Sequence, residues 1–242
     1  MLDISPNAKT ANVVGALALA ALVMAVEYGC RHYVLFWMPT VGTLGVNDMI
    51  ALVIAYGTLL AVFGRLARVD WLVALRGIEA ALREVVLTWK GTAWFMALMA
   101  CVWALPYLDH ALWGDVRLPM LLSDYRNPAV WFAAQAMLLK DLSLIVVNGL
   151  FVPIAEEFLW RGLVQPHLAR ALPLWAAIGI TAVLFSVKHV LVDASLGRFL
   201  MVIGFGIICG VRAARTNWQG STALHLLVNT AATVAAIVLG LQ

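Results

Sequence analysis

The chain has 242 residues, 64% of them hydrophobic and 12% charged, with a net charge of +3 and a mean hydropathy of +0.94. Soluble domains carry about 25% charged residues, so the composition excludes an ordinary soluble fold and points to a polytopic membrane protein. A small net charge with no basic run and no zinc-finger spacing argues against a nucleic-acid partner.

Lys9 precedes an apolar run that begins at Ala11 and continues to Val26. Ala18 and Ala20 make a small-residue pair of the kind found at leader cleavage sites, but more spans follow. The run therefore reads as a retained first span. A helix needs about 20 apolar residues to cross the hydrocarbon core. Segments of that kind fall near 11–36 (interrupted by Glu27 and Arg31), 47–64, 92–108, 130–152, 174–190, 199–213 and 221–241. Residues 153–170 read as a short eighth helix starting at Pro153 or as a continuation of the span before it. The expected fold class is all-α, a polytopic integral membrane helical bundle of about seven to eight transmembrane helices. With no repeat or low-complexity linker, 1–242 reads as a single membrane domain, its N-terminal spans and interfacial helix in 1–129 and its core in 130–242.

The stretch 66–90 mixes charged residues with Leu, Val, Ile and Trp. It reads as an amphipathic interfacial helix anchored by Trp71 and Trp89, or equally as a solvated connecting helix. Residues 109–128, with Asp109, Pro119, Asp124 and Pro128, read as an outer loop. Arg65, Arg68, Arg76, Arg83 and Lys90 form the largest basic cluster and are expected in the cytoplasm. Lys9, Arg161, Arg170, Arg212 and Arg215 then share that side, while Arg31, Arg117, Arg126 and Arg198 lie opposite. The implied topology is a multi-pass protein of the cell (inner) membrane with a cytoplasmic N-terminus. Cys30, Cys101 and Cys209 are far apart and read as small core residues.

Chemistry concentrates in three places. Val152-Pro153-Ile154-Ala155-Glu156-Glu157-Phe158-Leu159-Trp160-Arg161-Gly162 sets two carboxylates beside an arginine in an apolar setting. Ionised groups at membrane depth cost roughly 2.5–3.5 kcal/mol each on insertion scales, so they face partners or wet cavities. On a helix Glu157 and Arg161 share a face and pair. Glu156 is turned about 100° away and is left without a partner in the motif. Phe185-Ser186-Val187-Lys188-His189 puts an imidazole at the end of a span. His225 and Asn229 share one face of the last span. Alone, His189 reads as a satisfied structural residue and the His225/Asn229 pair as helix–helix glue; together with the acids they suggest a site. Lys140, Asp141 and Lys188 read as structural.

A helical hairpin turning near residue 172 puts Glu156 and His189 at one level, 16 and 17 residues from the turn. His225 is about 11 residues out of level with His189, roughly 16 Å at 1.5 Å per residue. Tilt, a short sixth span or a broken helix has to close that gap, and Gly197, Gly204, Gly206 and Gly210 permit close packing or bending there.

Glu156-Glu157-x-x-x-Arg161, Phe185-x-x-x-His189 and His225-x-x-x-Asn229 resemble, in order and approximate spacing, the CPBP (CAAX protease, Abi) family of intramembrane proteases, which includes the type II CAAX prenyl endopeptidases. The resemblance covers about 150–232, and Trp160 stands where many members have phenylalanine. The Val-Pro-x-x-Glu-Glu-x-x-Trp-Arg-Gly form is also similar to CAAX-like members associated with exosortase systems. The resemblance implies a catalytic helical core in 130–242 with a water-accessible cavity. It implies that Glu156 activates water, His189 assists, His225 and Asn229 stabilise the oxyanion, and Glu157 and Arg161 form a supporting ion pair. The substrate would be a membrane-associated protein or peptide.

Hydrolysis of a peptide bond needs a base, oxyanion donors and an acid for the leaving amine. Glutamate, histidine and asparagine supply these groups. Neutral His and Asn would donate N–H without adding a buried charge. No Ser-His-acid ordering emerges around Ser186, so a covalent route is disfavoured. Glu156, Glu157, His189 and His225 are possible zinc ligands. There is no His-Glu-x-x-His run, however, and Arg161 adds positive charge, so a metal-independent mechanism without a cofactor is preferred. The alternatives are a non-catalytic membrane scaffold that keeps the family fold, and a transporter. The transporter is disfavoured because the acids cluster at one motif.

Overall fold

The computed structural model describes residues 5–34, 44–114, 141–193 and 195–239. Among them eight helices follow one another: α1 (Pro6–Gly29, running on through a wider turn at Cys30–Val34), α2 (Leu44–Leu66), α3 (Trp71–Leu87), α4 (Trp89–Trp113), α5 (Asp141–Ala171), α6 (Leu174–Asp193), α7 (Phe199–Arg215) and α8 (Trp218–Leu239). Five of them, α1, α2, α4, α5 and α6, are long and apolar enough to cross a membrane. The protein is an all-α helical membrane bundle. The expected span at 199–213 is a helix of 17 residues, short of the roughly 20 that cross the core unaided. Lys140, the end of the first expected span, the start of the fourth and most of the expected outer loop lie outside the described residues.

Lipid and protein divide the apolar surface. α4 turns Met96, Trp103 and Tyr107 outward, as a helix apolar on all sides does where it meets lipid. By contrast, α5 and α6 bury much of their length inside the bundle. α3 is amphipathic. It buries Ala74, Ile78 and Val85 and carries an exposed Arg83–Glu79 pair. Asp70 caps its start, accepting from the Leu72 and Val73 amides. Trp71 is half-buried, its ring packed edge-on against Phe158 at 5.3 Å. Trp89 stays 78% exposed. At the α3–α4 corner only glycine fits position 91, since a Cβ there would lie 2.3 Å from the Glu84 carbonyl oxygen.

Residues 153–170 continue the preceding helix and do not begin a new one. α5 runs through Pro153 because the turn before it, Leu144–Phe151, is π-type. The wider turn relieves the clash and the missing N–H that proline imposes inside an α-helix. A second wide turn covers Phe158–Val164, so the two glutamates sit in a short α-helical stretch, Val152–Glu157, between two widened ones. α5 and α6 form the expected hairpin, with the turn at 172–173.

Asp109, expected in a loop, is fully buried in the last turns of α4. Its carboxylate accepts from the amides of Leu200 (2.8 Å) and Met201 (2.9 Å) at the start of α7. A carboxylate at that end satisfies orphan donors and opposes the helix dipole. Asp109→Ala is expected to lower stability by about 1–2 kcal/mol, read by thermal unfolding of the purified protein, with Asp109→Asn intermediate.

Candidate active site

The widened turns of α5 aim Glu156 and Glu157 into the bundle, where both are buried. Glu157 Oε1 meets Arg161 Nη1 at 3.1 Å, the expected one-turn pair. Arg161 is buried with it, places Nη2 3.3 Å from the Gly206 carbonyl oxygen, and lies over the Phe185 ring. Gly206 is required there: a Cβ would come within 2.9 Å of Ala182 and crowd the guanidinium. Trp160, buried behind the pair, packs edge-on against Phe185 at 5.5 Å.

His225 lies between the two acids. Nδ1 is 2.9 Å from Glu157 Oε1, and Nε2 is 3.7 Å from Glu156 Oε2. A carboxylate paired with arginine is an acceptor only, so Nδ1 carries the hydrogen and donates it. Nε2 is then a donor only when the ring holds its second proton. The expected neutral N–H for an oxyanion is already engaged with Glu157.

Glu156 is not the unpartnered acid the motif suggests. Its Oε1 accepts from the Lys188 ammonium and from the Tyr56 hydroxyl at 2.9 Å. The same hydroxyl lies 2.5 Å from Glu27 Oε2, and Lys188 Nζ is 3.1 Å from that oxygen. Tyr56 on α2 thus reaches the acid on α5 directly, Glu27 on α1 reaches it through Tyr56 and a lysine on α6, and all four side chains are buried.

A cavity of about 210 Å³ collects the predicted residues. Glu156, His189, His225 and Asn229 all line it, with Asn148, Phe205 and Arg198 among their neighbours. His189 is half-buried, edge-on to Phe185 at 4.9 Å, with Nδ1 3.8 Å from Asp193 Oδ2. His225 is edge-on to Phe205 at 4.6 Å, and Phe185 and Phe205 stack at 6.3 Å. The two histidines, expected at different levels, line the same cavity. Asn229 Nδ2 donates to the Asn148 carbonyl at 3.1 Å, leaving its second N–H for another acceptor. Ser186 is buried with its hydroxyl on the Phe199 carbonyl at 2.7 Å.

The spacing of the motifs missed Glu27, Tyr56, Asn148 and the use of Lys188. A lone acid interrupting an apolar span was the available signal for Glu27. Lys188 adjoins His189, and Tyr56 carried no signal at all.

Fold and site together define a helical membrane protein with a buried acid–histidine cavity. Residues 136–231 match the family model described as Rce1-like, type II CAAX prenyl endopeptidase Rce1-like. That stretch holds all three motifs, and over it the chain is similar to the CPBP (CAAX protease) family. No curated protein and no solved structure matches the chain. Glu27 and Tyr56 lie outside the matched stretch.

Proposed function

We propose that the protein is an intramembrane endopeptidase of the CAAX-protease type, which hydrolyses a peptide bond of a membrane-associated protein or peptide with water activated by Glu156. The observation that carries this reading is the approach of Glu156 Oε2 to His225 Nε2, 3.7 Å apart, where both residues line a cavity with room for water and a peptide carbonyl.

A water at Oε2 passes its proton to Glu156 as its oxygen bonds to the carbonyl carbon, and the carbonyl electron pair moves onto oxygen. The unengaged Asn229 N–H, and His225 Nε2 when the ring is doubly protonated, are the donors for that oxyanion. Collapse restores the carbonyl and breaks the C–N bond, and the amine leaves with the proton held by Glu156. His189, across the cavity, assists by orienting water, its own ring held near Asp193.

The proposed route uses no divalent ion. Lys188 occupies Glu156 Oε1 and Arg161 faces Glu157, so a metal would add positive charge beside two cations.

We place the protein in the cell membrane with its N-terminus cytoplasmic, as one membrane domain. Helix direction then sets the side on which the cavity opens. Asn148 near the start of α5, Arg198 before α7 and Ala232 late in α8 line its outer part, at the bundle end away from Arg65 to Lys90. The substrate bond is presented from the extracytoplasmic half. In a chain with its three cysteines replaced by alanine, Arg198→Cys should react with a membrane-impermeant maleimide in right-side-out vesicles and not in inverted ones. The reverse pattern would invert this topology.

The activity itself is tested by adding purified protein in liposomes to membranes from cells that lack it. New peptide termini, mapped by mass spectrometry, should appear with the wild type and be absent with Glu156→Ala or His189→Ala. Termini that persist in both variants end the reading. Full biological function in a Glu156→Gln strain would favour the scaffold instead.

A further inference from the structure

We propose that Lys188, Tyr56 and Glu27 are positioning residues for Glu156: Lys188 and Tyr56 engage its Oε1, with Glu27 holding both, so that Oε2 alone is left to receive the proton from water. The N-terminal spans, outside the family-matched stretch, thereby complete the site. The rate measurements below rest on the protease reading; the labelling measurement does not.

The donor count decides how Lys188 acts. An ammonium has three N–H donors, and three acceptors surround this one: Glu156 Oε1, Glu27 Oε2 at 3.1 Å and Tyr56 Oη at 3.3 Å. No N–H remains for a substrate carbonyl, so Lys188 acts through Glu156 and does not touch the reacting atoms. The Tyr56 hydroxyl has one proton and two carboxylate oxygens within reach, at 2.5 and 2.9 Å, and so links the two acids. Glu156 Oε2 is the oxygen that faces the His225 ring.

Charge explains why a second acid is present. A lysine paired only with Glu156 would form a tight ion pair that competes with proton uptake. Glu27 shares the ammonium, and Arg31, 3.8 Å from Glu27 Oε1, also faces Asp48 at 3.7 Å and Asp193 at 3.6 Å. Charged groups are thus joined from Arg31 to the base. A purely structural cluster would hold helices together equally well, but it would leave the reactivity of Glu156 unaltered when the cluster is changed with its charge balance kept.

The test uses the full chain in liposomes. Lys188→Met alone leaves two buried carboxylates short of a cation and is at risk of misfolding, so it is paired with Glu27→Gln, which removes one charge of each sign. Buried carboxylates without a cation neutralise by taking up a proton, and only a protonated carboxyl reacts with dicyclohexylcarbodiimide. Glu156 should be labelled at least tenfold more in the double variant than in the wild type at neutral pH, read on the Glu156 peptide by mass spectrometry. Across a dilution series of the membrane substrate fraction, the limiting rate of terminus formation should fall tenfold or more in Glu27→Gln and in the double variant. Tyr56→Phe should lose less, and half-saturation should stay within twofold. Labelling of Glu156 unchanged in the folded double variant overturns the proposal, whatever happens to the rate. Increased labelling with wild-type rates overturns the positioning role. Increased labelling in a protein whose wild type forms no termini keeps the hold on Glu156 and removes the protease reading.

Discussion

Glu156→Gln is expected to fold like the wild type and to lose about 10²–10⁴-fold in the rate of peptide-terminus formation. That is the range a positioned general base contributes. The fold survives because the amide oxygen still accepts from Lys188 and Tyr56, the two donors now on Oε1. Activity does not survive, because an amide NH₂ at the place of Oε2 cannot take a proton from water. Thermal unfolding of the same preparation separates the two effects. A rate within tenfold of wild type would show that Glu156 is not the base.

Arg161→Met should produce the largest loss of stability. Removing one partner of a buried ion pair leaves the other charged and uncompensated, which costs about 3–5 kcal/mol. Glu157 is fully buried, with Arg161 on Oε1 at 3.1 Å and His225 Nδ1 on the same oxygen at 2.9 Å. The substitution also removes the contact of Nη2 with the Gly206 carbonyl, where α7 closes on α6. Arg161→Met/Glu157→Gln should recover most of the loss, because the stranded charge is gone. A double variant as unstable as the single one would mean that packing against Phe185, and not charge, holds this corner.

The three motifs were legible because each is a short-range feature. Glu157 and Arg161 are four residues apart, and the pairing expected from helix geometry is the one observed. Levels along the α5–α6 hairpin were legible too, since a two-residue turn leaves little freedom in the register of Glu156 against His189. The reading failed where widened turns and distant helices intervene. Pro153 looked like a start because nothing in its neighbours announces a π-type turn before it. Asp109 looked like a loop residue because its partners, the Leu200 and Met201 amides, are some ninety positions away.

Composition by itself determined the membrane class, the helical architecture and the short segments where ionised groups had to find partners, because the cost of a charge in hydrocarbon is paid locally and shows in any window of twenty residues. Tertiary structure alone decided who those partners are. Tyr56 and Lys188 converge on one oxygen of Glu156, and Glu27 on both of them, only after three helices have been rotated and set in depth against α5. Rotation and depth follow from side-chain packing across the whole bundle, which no single stretch of the chain encodes.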